Sequence, residues 1–425
     1  MKVLVVGNGG REHAIAWRLI QDETIQVTCV PGNGGTATLP RCRNLELLQT
    51  DFEGIARFCV VNNVGLVIVG PEAPLSEGIA DFLREKNIPV FGPSRAGAQI
   101  EASKAWAKAL MEAAHIPTAR AAVFTDLAAA KAYVQIEGTP IVIKADGLAA
   151  GKGVTVAETI EQAEAALEAC FSGQFGSAGS RVVIEECLIG QEASILAVTD
   201  GKTIRPLLPA QDHKRIGEGD TGENTGGMGV YAPAPVVTPE ILALVQQQVL
   251  EPTIAALQAR DIPYCGILYA GLMITPAGDP KVIEFNCRFG DPETQAVLPL
   301  LEGSFHKLLL ACAQGKLADF PPLTWKPEVC ACVVAASGGY PAAYQKGFPI
   351  TGIDTAEQEG AIVFHAGTAV RQGKLVSDGG RVLGVTAVGN DFDDACDRAY
   401  HALEAIHFEG MYFRRDIGYR VRSKI

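Results

Sequence analysis

Long hydrophobic runs are missing from this 425-residue chain. No apolar stretch approaches the roughly 18 residues that a membrane-spanning helix needs, so no membrane partner is expected. A strand-like segment begins at Lys2, which leaves no room for a secretory signal peptide, and a cytoplasmic protein is expected. Paired cysteines are also lacking. The eleven cysteines are odd in number and scattered, without a CxxC, and only Cys330-Ala331-Cys332 lie close together. Neither a disulfide framework nor a zinc site follows from that pattern, and a reducing compartment fits it. Basic charge is in deficit, with 36 Lys and Arg against 48 Asp and Glu for a net charge of −12. A nucleic acid is therefore not expected as the main partner, and any anionic ligand must find a local basic cluster. Internal repeats and low-complexity tracts are absent. The length suggests roughly three domains at about 150 residues each, every one able to bury a core.

Among what is present, residues 282–295, VIEFNCRFGDPETQ, carry the most chemistry. The β-branched and aromatic residues Val282, Ile283 and Phe285 open a strand, and turn residues 276–280 separate it from the apolar run 267–274, which makes a hairpin. Alternation then puts Glu284, Asn286 and Arg288 on one side and Ile283, Phe285 and Cys287 on the other. Glu284 and Asn286 are hard oxygen donors suited to Mg²⁺, and Arg288 can grip a phosphate or carboxylate bidentately. The plain alternative is an edge hairpin with a solvated polar face.

The first hundred residues alternate strands and helices: 3–6, a helix over 11–20, 26–30, and 66–69 followed by another helical stretch. That is an open α/β sheet. Gly7-Asn8-Gly9-Gly10 resembles a dinucleotide fingerprint, but Glu12 takes its sixth position and no acidic residue ends the second strand. Ligands of such sheets bind beyond the carboxyl ends of strands, where loops 7–10, 31–35 and 70–74 converge. Tight glycine turns without a ligand are the alternative for each loop. The alanine- and lysine-rich stretch to His115 reads as one helix, with Lys104 and Lys108 four apart on a solvated face.

Residues 121–187 form an α+β module: strands at 141–144, 154–157 and 181–186, a helix at 160–170, and a glycine-rich loop at 146–153 containing Lys152. The loop is not a Walker A element, because strands flank it and Gly153 follows the lysine. It can act as a flexible hairpin over a triphosphate, with Lys144 as a fixed cation on the strand; a plain hairpin with a solvated Lys152 is the alternative. Farther on, Glu185-Glu186-Cys187-Leu188 and Glu192 form a linker at which backbone groups can meet a purine edge and a carboxylate a ribose. A long polar loop spans Asp212, Lys214 and Asn224 to Gly229. Such loops are commonly functional. Beyond Trp325 come strands at 329–335 and 362–370, a hairpin turn at 377–380, a strand at 382–388 and a helix over 391–406, with no obvious catalytic set among their polar residues.

Gly7-Asn8-Gly9-Gly10-Arg11-Glu12-His13, the glycine-rich hairpin, residues 224–229 and above all Arg288-Phe289-Gly290-Asp291-Pro292-Glu293 resemble the glycinamide ribonucleotide synthetases of the ATP-grasp superfamily, essentially from end to end. The resemblance implies ATP-dependent ligation of glycine to 5-phosphoribosylamine through a glycyl phosphate, in purine biosynthesis. It implies an N-terminal open parallel α/β sheet (1–101), a central ATP-grasp domain (102–324) with a mobile lid at about 121–187, and a small C-terminal α+β domain (325–425). ATP would meet Lys104, Lys144, Lys152, Glu185, Glu186, Leu188 and Glu192, and Mg²⁺ or Mn²⁺ would meet Glu284 and Asn286. The glycine and phosphoribosylamine region would be lined by Gly9, Asn33, Glu72, Asp212, Lys214, Asn224, Arg288 and Gly290, with Arg288, Lys144 and Lys214 in catalysis. One departure stands out: the preceding strand offers Gly271 where such enzymes often carry a further metal-binding carboxylate. A monomer or weak dimer is expected. Other readings are a bicarbonate-using enzyme of the same superfamily, a nucleotide-binding regulator without catalysis, and a dehydrogenase.

Overall fold

The computed structural model describes residues 1–148 and 153–423. Its first sheet has five parallel strands, with Lys2–Gly7 at the centre between Gln26–Pro31 and Leu66–Val69. These strands are runs of Val, Leu and Ile buried on both faces, as a parallel sheet covered by helices requires. The helix Gly10–Leu19 follows the first strand directly. The expected single helix up to His115 is instead two, Gln99–Ala102 and Lys104–Ala113. Ser103 divides them, because its hydroxyl caps the second helix by accepting from the Trp106 amide.

Two four-stranded sheets follow. One is antiparallel and holds Val182–Glu186 between Ala121–Phe124 and Ile141–Ala145, with Val154–Ala157 outermost. The helices Leu127–Glu137 and Ile160–Phe171 cover this sheet and enclose its own small core. The other runs Ile204–Pro206, Gln191–Thr199, Gly266–Ile274, Pro280–Asn286, and its core merges with that of the first sheet. The expected hairpin over 267–286 is therefore present, with one correction. A bulge between Gly271 and Leu272 sets Gly271 opposite Glu284 but Leu272 opposite Val282, so Ile283 has no partner. Val282 enters the core in place of Ile283, which faces the cleft.

A further sheet contains Val329–Ser337, Arg381–Gly389 and Ile362–His365, and it also recruits Gln211–Asp212 and Gly229–Ala232 from earlier in the chain. The polar stretch between them, read as an irregular loop, contains a small hairpin, Arg215–Gly217 with Thr221–Asn224. The expected strand 362–370 is broken at Ala366-Gly367 into Ile362–His365 and Thr368–Arg371. Residues 377–380 do not close a hairpin either. Lys374–Ser377 pairs back onto Thr368–Arg371, and Gly379 packs against Gly367, so the chain crosses between sheets there. The helix Phe392–Ala405, capped by Asp391, lies where it was expected.

Candidate functional site

The three regions meet around a cleft of about 780 Å³. Its floor is the edge of Pro280–Asn286. Glu284 sits opposite Gly271, where an added Cβ would lie 3.1 Å from the Glu284 Cγ, so the position that lacks a carboxylate is filled by Glu284 itself. Burial pushes the Glu284 carboxyl up, but Lys214, Lys144, Lys104 and Arg288 around it hold it below the usual carboxylate value. Asn286, two residues on, turns its Oδ1 toward the Arg288 Nη2 at 3.3 Å. A low-pKa carboxylate beside an amide oxygen is a fitting donor pair for a hard divalent ion that keeps water and phosphate oxygens as its other ligands. Among the described residues no group of three or more His, Cys, Asp or Glu competes as a metal site.

Four cations surround that pair. The Lys214 Nζ lies 2.9 Å from Glu192 and 3.8 Å from Glu284. Lys144 leaves the strand Ile141–Ala145 buried, 2.8 Å from the Glu185 Oε2, and donates to the Ile283 carbonyl at 3.0 Å. Lys104, in the first turn of its helix, donates to the Gly147 carbonyl at 2.9 Å. Arg288 is held between Glu101 at 2.8 Å and Glu72 at 3.3 Å. Lys108 is not on a solvated face: it is 8 % exposed, 3.1 Å from the other oxygen of Glu185, and donates to Thr118 and Ala119. Glu185 thus ties two lysines to the cleft wall from behind, the arrangement that makes a buried charge tolerable.

Glu186 and Leu188 line the cleft where the chain passes from Val182–Glu186 to Gln191–Thr199, with the Glu186 carboxylate accepting from the Arg120 amide at 2.9 Å. Glu72, Asp212 and Asn224 line it as well. Burial pushes the Asp212 carboxyl up to about 8 against the pull of Lys214, with Glu293, Glu192 and Glu284 adding to the rise. Three expected residues stand outside the cleft lining. Asn33 is buried, donating to the carbonyl of His365 at 2.7 Å and of Asn8 at 3.0 Å, while its Oδ1 accepts from Gly35 and Thr36. Gly9 donates its amide to Glu12 at 2.6 Å, and Gly290 packs beneath Glu293. Lys152 lies outside the described residues.

Glu12 also settles the fingerprint reading. Its carboxylate is 1 % exposed and folds back over the start of its own helix, into the space that side chains at Gly7, Gly9 and Gly70 would otherwise enter. An anion already fills the position a cofactor pyrophosphate would take.

Several cleft residues escaped the sequence reading. Glu101 ends a short helix with no motif around it. Glu293 belongs to the quoted motif but is buried, accepting from the Tyr269 hydroxyl at 2.9 Å and Ser194 at 3.0 Å. Arg381 comes from the last sheet and Tyr340 from the turn that follows its strand Val329–Ser337, where the polar residues seemed to form no set. Only the pairing of that sheet with Gly229–Ala232 brings them to the cleft.

Sequence models of the phosphoribosylglycinamide synthetase family match the chain in three parts: the N domain over residues 1–101, the ATP-grasp (A) domain over 102–294 and the C domain over 330–420. A phosphoribosylamine–glycine ligase of a Nostoc species is 67 % identical over 425 residues, all of both chains. The enzyme of the same name from a Synechocystis species is 52 % identical, covering 99 % of this chain and 100 % of its own. The crystal structure of phosphoribosylamine–glycine ligase from Thermotoga maritima superposes with a TM-score of 0.85 at 34 % identity, covering 98 % of this chain and 100 % of that one. A biotin carboxylase domain of Hydrogenobacter thermophilus 2-oxoglutarate carboxylase, at 17 % identity and a TM-score of 0.70 over 97 % of this chain and 91 % of that one, shares the fold alone. With end-to-end matches of this strength, and Lys104, Lys144, Lys214, Glu284 and Arg288 in one cleft, the chain belongs to the phosphoribosylglycinamide synthetase family.

Proposed function

We propose that the protein uses ATP to join the carboxylate of glycine to the amine of 5-phosphoribosylamine, releasing ADP and phosphate, as a step of purine biosynthesis. The observation that carries this is the convergence of Lys104, Lys144, Lys214 and Arg288 on Glu284 and Asn286 within one cleft. A carboxylate is a poor acyl donor, so it must first become a mixed anhydride. Lys104 and Lys144 sit where they can receive the triphosphate, while Glu185 and Lys108 keep Lys144 from moving. Glu186 and Leu188 face the base, and Glu192 the ribose. A divalent ion, Mg²⁺ or Mn²⁺, held by Glu284 and Asn286 would neutralise charge on the transferring phosphoryl group. Arg288 then aims N–H groups at the oxygen that gains charge when the amine attacks glycyl phosphate, a contribution of about 3–4 kcal/mol for donors of this type. Asp212, Asn224 and Glu72 line the acceptor side, and Gly9, Asn33 and Gly290 shape that wall from behind. Of the domains 1–101, 102–324 and 325–425, the central one carries the module at about 121–187, which closes over ATP as a lid and excludes water from the acyl phosphate.

We expect a cytoplasmic monomer or weak dimer; no helix among the described residues is long and apolar enough to cross a membrane. The test is a product assay with ATP, 5-phosphoribosylamine and either glycine or bicarbonate. ADP and glycinamide ribonucleotide with glycine alone support the reading. ADP release driven by bicarbonate points to a carboxylase, and no substrate-dependent ADP release to a regulator.

A further inference from the structure

Arg381 opens the strand Arg381–Gly389 in the last sheet, far in sequence from every residue assigned a role above. Its Nη1 donates to the Gly226 carbonyl at 2.6 Å and the Asp291 carbonyl at 2.8 Å, lies 3.4 Å from the Gly227 carbonyl, and is 3.4 Å from the Asp291 carboxylate. One nitrogen thus fastens two segments that lie far apart in sequence, at Gly226 and at Asp291. The first segment carries Asn224 and is tied to Lys214, whose carbonyl accepts from the Thr225 amide at 2.7 Å and the Thr225 hydroxyl at 2.8 Å. The second carries Arg288 and Gly290.

The glycines of the first segment fit this contact. An added Cβ at Gly226 would lie 2.8 Å from the Arg381 Cζ, and one at Gly227, which sits at φ +113°, would lie 2.5 Å from the Pro292 Cδ. The Gly226 amide donates to the Tyr340 hydroxyl at 3.1 Å, in the turn after the strand Val329–Ser337. Asp291 in turn accepts from the Arg11 amide at 3.2 Å, so the first sheet is anchored to the same point.

We infer that Arg381 is a positioning residue for the acceptor half of the site, setting Lys214 and Asn224 against Arg288 at the distance the ligation requires. The inference rests on the function proposed above. Lys104 and Lys144 stand on other elements, Lys104–Ala113 and Ile141–Ala145, and among the described residues no hydrogen bond or ion pair joins either to this clamp, which reaches the nucleotide side only where Lys214 pairs with Glu192 and Glu284. Loss of the clamp should therefore separate the two halves of the reaction. A lysine cannot replace it, because its side chain ends one atom short of the Nη1 that makes every one of these contacts.

The experiment compares Arg381→Lys, Arg381→Ala, Gly226→Ala and the double variant Arg381→Ala with Gly226→Ala, reading kcat, KM for glycine, equilibrium ATP binding and Tm. Displacing reacting groups by about 1 Å costs on the order of 10²-fold in rate. A loss of that size in kcat/KM for glycine is expected in Arg381→Lys and Gly226→Ala, with ATP binding unchanged. In the Arg381→Ala background, Gly226→Ala should cost nothing further, since the group it crowds is gone. Arg381→Lys and Gly226→Ala enzymes as active as wild type would overturn the inference, as would ATP binding that falls in step with activity. Should Arg381→Ala fail to fold, Gly226→Ala alone decides, because Gly226 needs no left-handed backbone. A wild-type protein that makes no glycinamide ribonucleotide would instead fail the functional reading.

Discussion

The Arg288 guanidinium lies 2.8 Å from Glu101 and 3.3 Å from Glu72, and the two carboxylates are not equivalent. The Glu101 side chain is 7 % exposed and its second oxygen accepts from the Cys287 amide at 2.8 Å, whereas the Glu72 side chain is 30 % exposed. Glu101 is the fixed partner, and Glu72 is the one a substrate anion can displace. Glu101→Gln should destabilise the protein by about 1.5–3 kcal/mol, the range for a hydrogen bond to a charged group, and should lower kcat. Glu72→Gln should leave stability nearly unchanged and act on substrate KM. Urea titrations and steady-state rates on the two variants check this; equal stability losses would mean that both carboxylates merely hold Arg288.

Glu284→Gln is nearly isosteric and removes the charge that four cations now surround. The fold should survive while turnover collapses and the divalent-ion concentration for half-maximal rate rises. Asn286→Asp keeps an oxygen donor and should be milder. Normal metal dependence in Glu284→Gln would remove that carboxylate from the metal site.

Much of the scaffold could be read in advance because local patterns there agree with tertiary environment. The strand at Leu66–Val69 and the helix behind Asp391 carry both a buried apolar pattern and a boundary signal. That Lys144, Lys214 and Glu284 face the cleft could be anticipated from the strand and loop patterns around them. Glu101, Lys108 and Arg381 were not, since each gains its meaning from a partner between 77 and 187 positions away: Glu185 for Lys108, Arg288 for Glu101, Asp291 and Gly226 for Arg381. Spacing along one element carries no trace of such contacts. Asn33 shows the converse: a residue in a conspicuous glycine loop whose amide is spent on the His365 carbonyl and on its own turn.

Three buried histidines join the last sheet and the C-terminal segment to the rest of the chain. The His365 amide donates to the His13 Nδ1 at 2.7 Å, and the Gly418 amide donates to the His213 Nε2 at 3.2 Å, so His13 and His213 must be neutral at those nitrogens. Burial lowers His213 and His365 to about 4 and His13 well below its usual 6.5. A depressed pKa means the unfolded chain binds protons first. The stability these residues contribute is complete above 6.5 and is lost as pH falls toward about 4, on the order of 3 kcal/mol for each of His213 and His365. Unfolding followed across that window should show a steep acid loss, and His213→Gln, whose side-chain oxygen can still accept from Gly418, should flatten it. A wild-type profile without slope there would contradict the linkage.

The route of the glycine oxygen distinguishes acyl phosphate from acyl adenylate chemistry. Both activate a carboxylate with ATP, but they cut the triphosphate at different bonds. With Lys104, Lys144 and the Glu284–Asn286 pair gathered in one cleft, the glycine carboxylate is expected to attack the γ-phosphorus, break its bond to the β,γ-bridging oxygen and release ADP. When the amine then attacks the carbonyl carbon, the acyl C–O bond breaks and the oxygen that bridged carbon and phosphorus leaves with phosphate. Glycine labelled with heavy oxygen in its carboxylate should therefore place one labelled oxygen in inorganic phosphate at each turnover, dependent on divalent ion, and on 5-phosphoribosylamine for full release. An adenylate would send that oxygen to AMP and release pyrophosphate. Label in AMP would sink the phosphoryl-transfer roles assigned to Lys104 and Lys144, whereas label in phosphate from the Arg381→Lys enzyme, at a reduced rate, would place the defect in that variant after the triphosphate is bound.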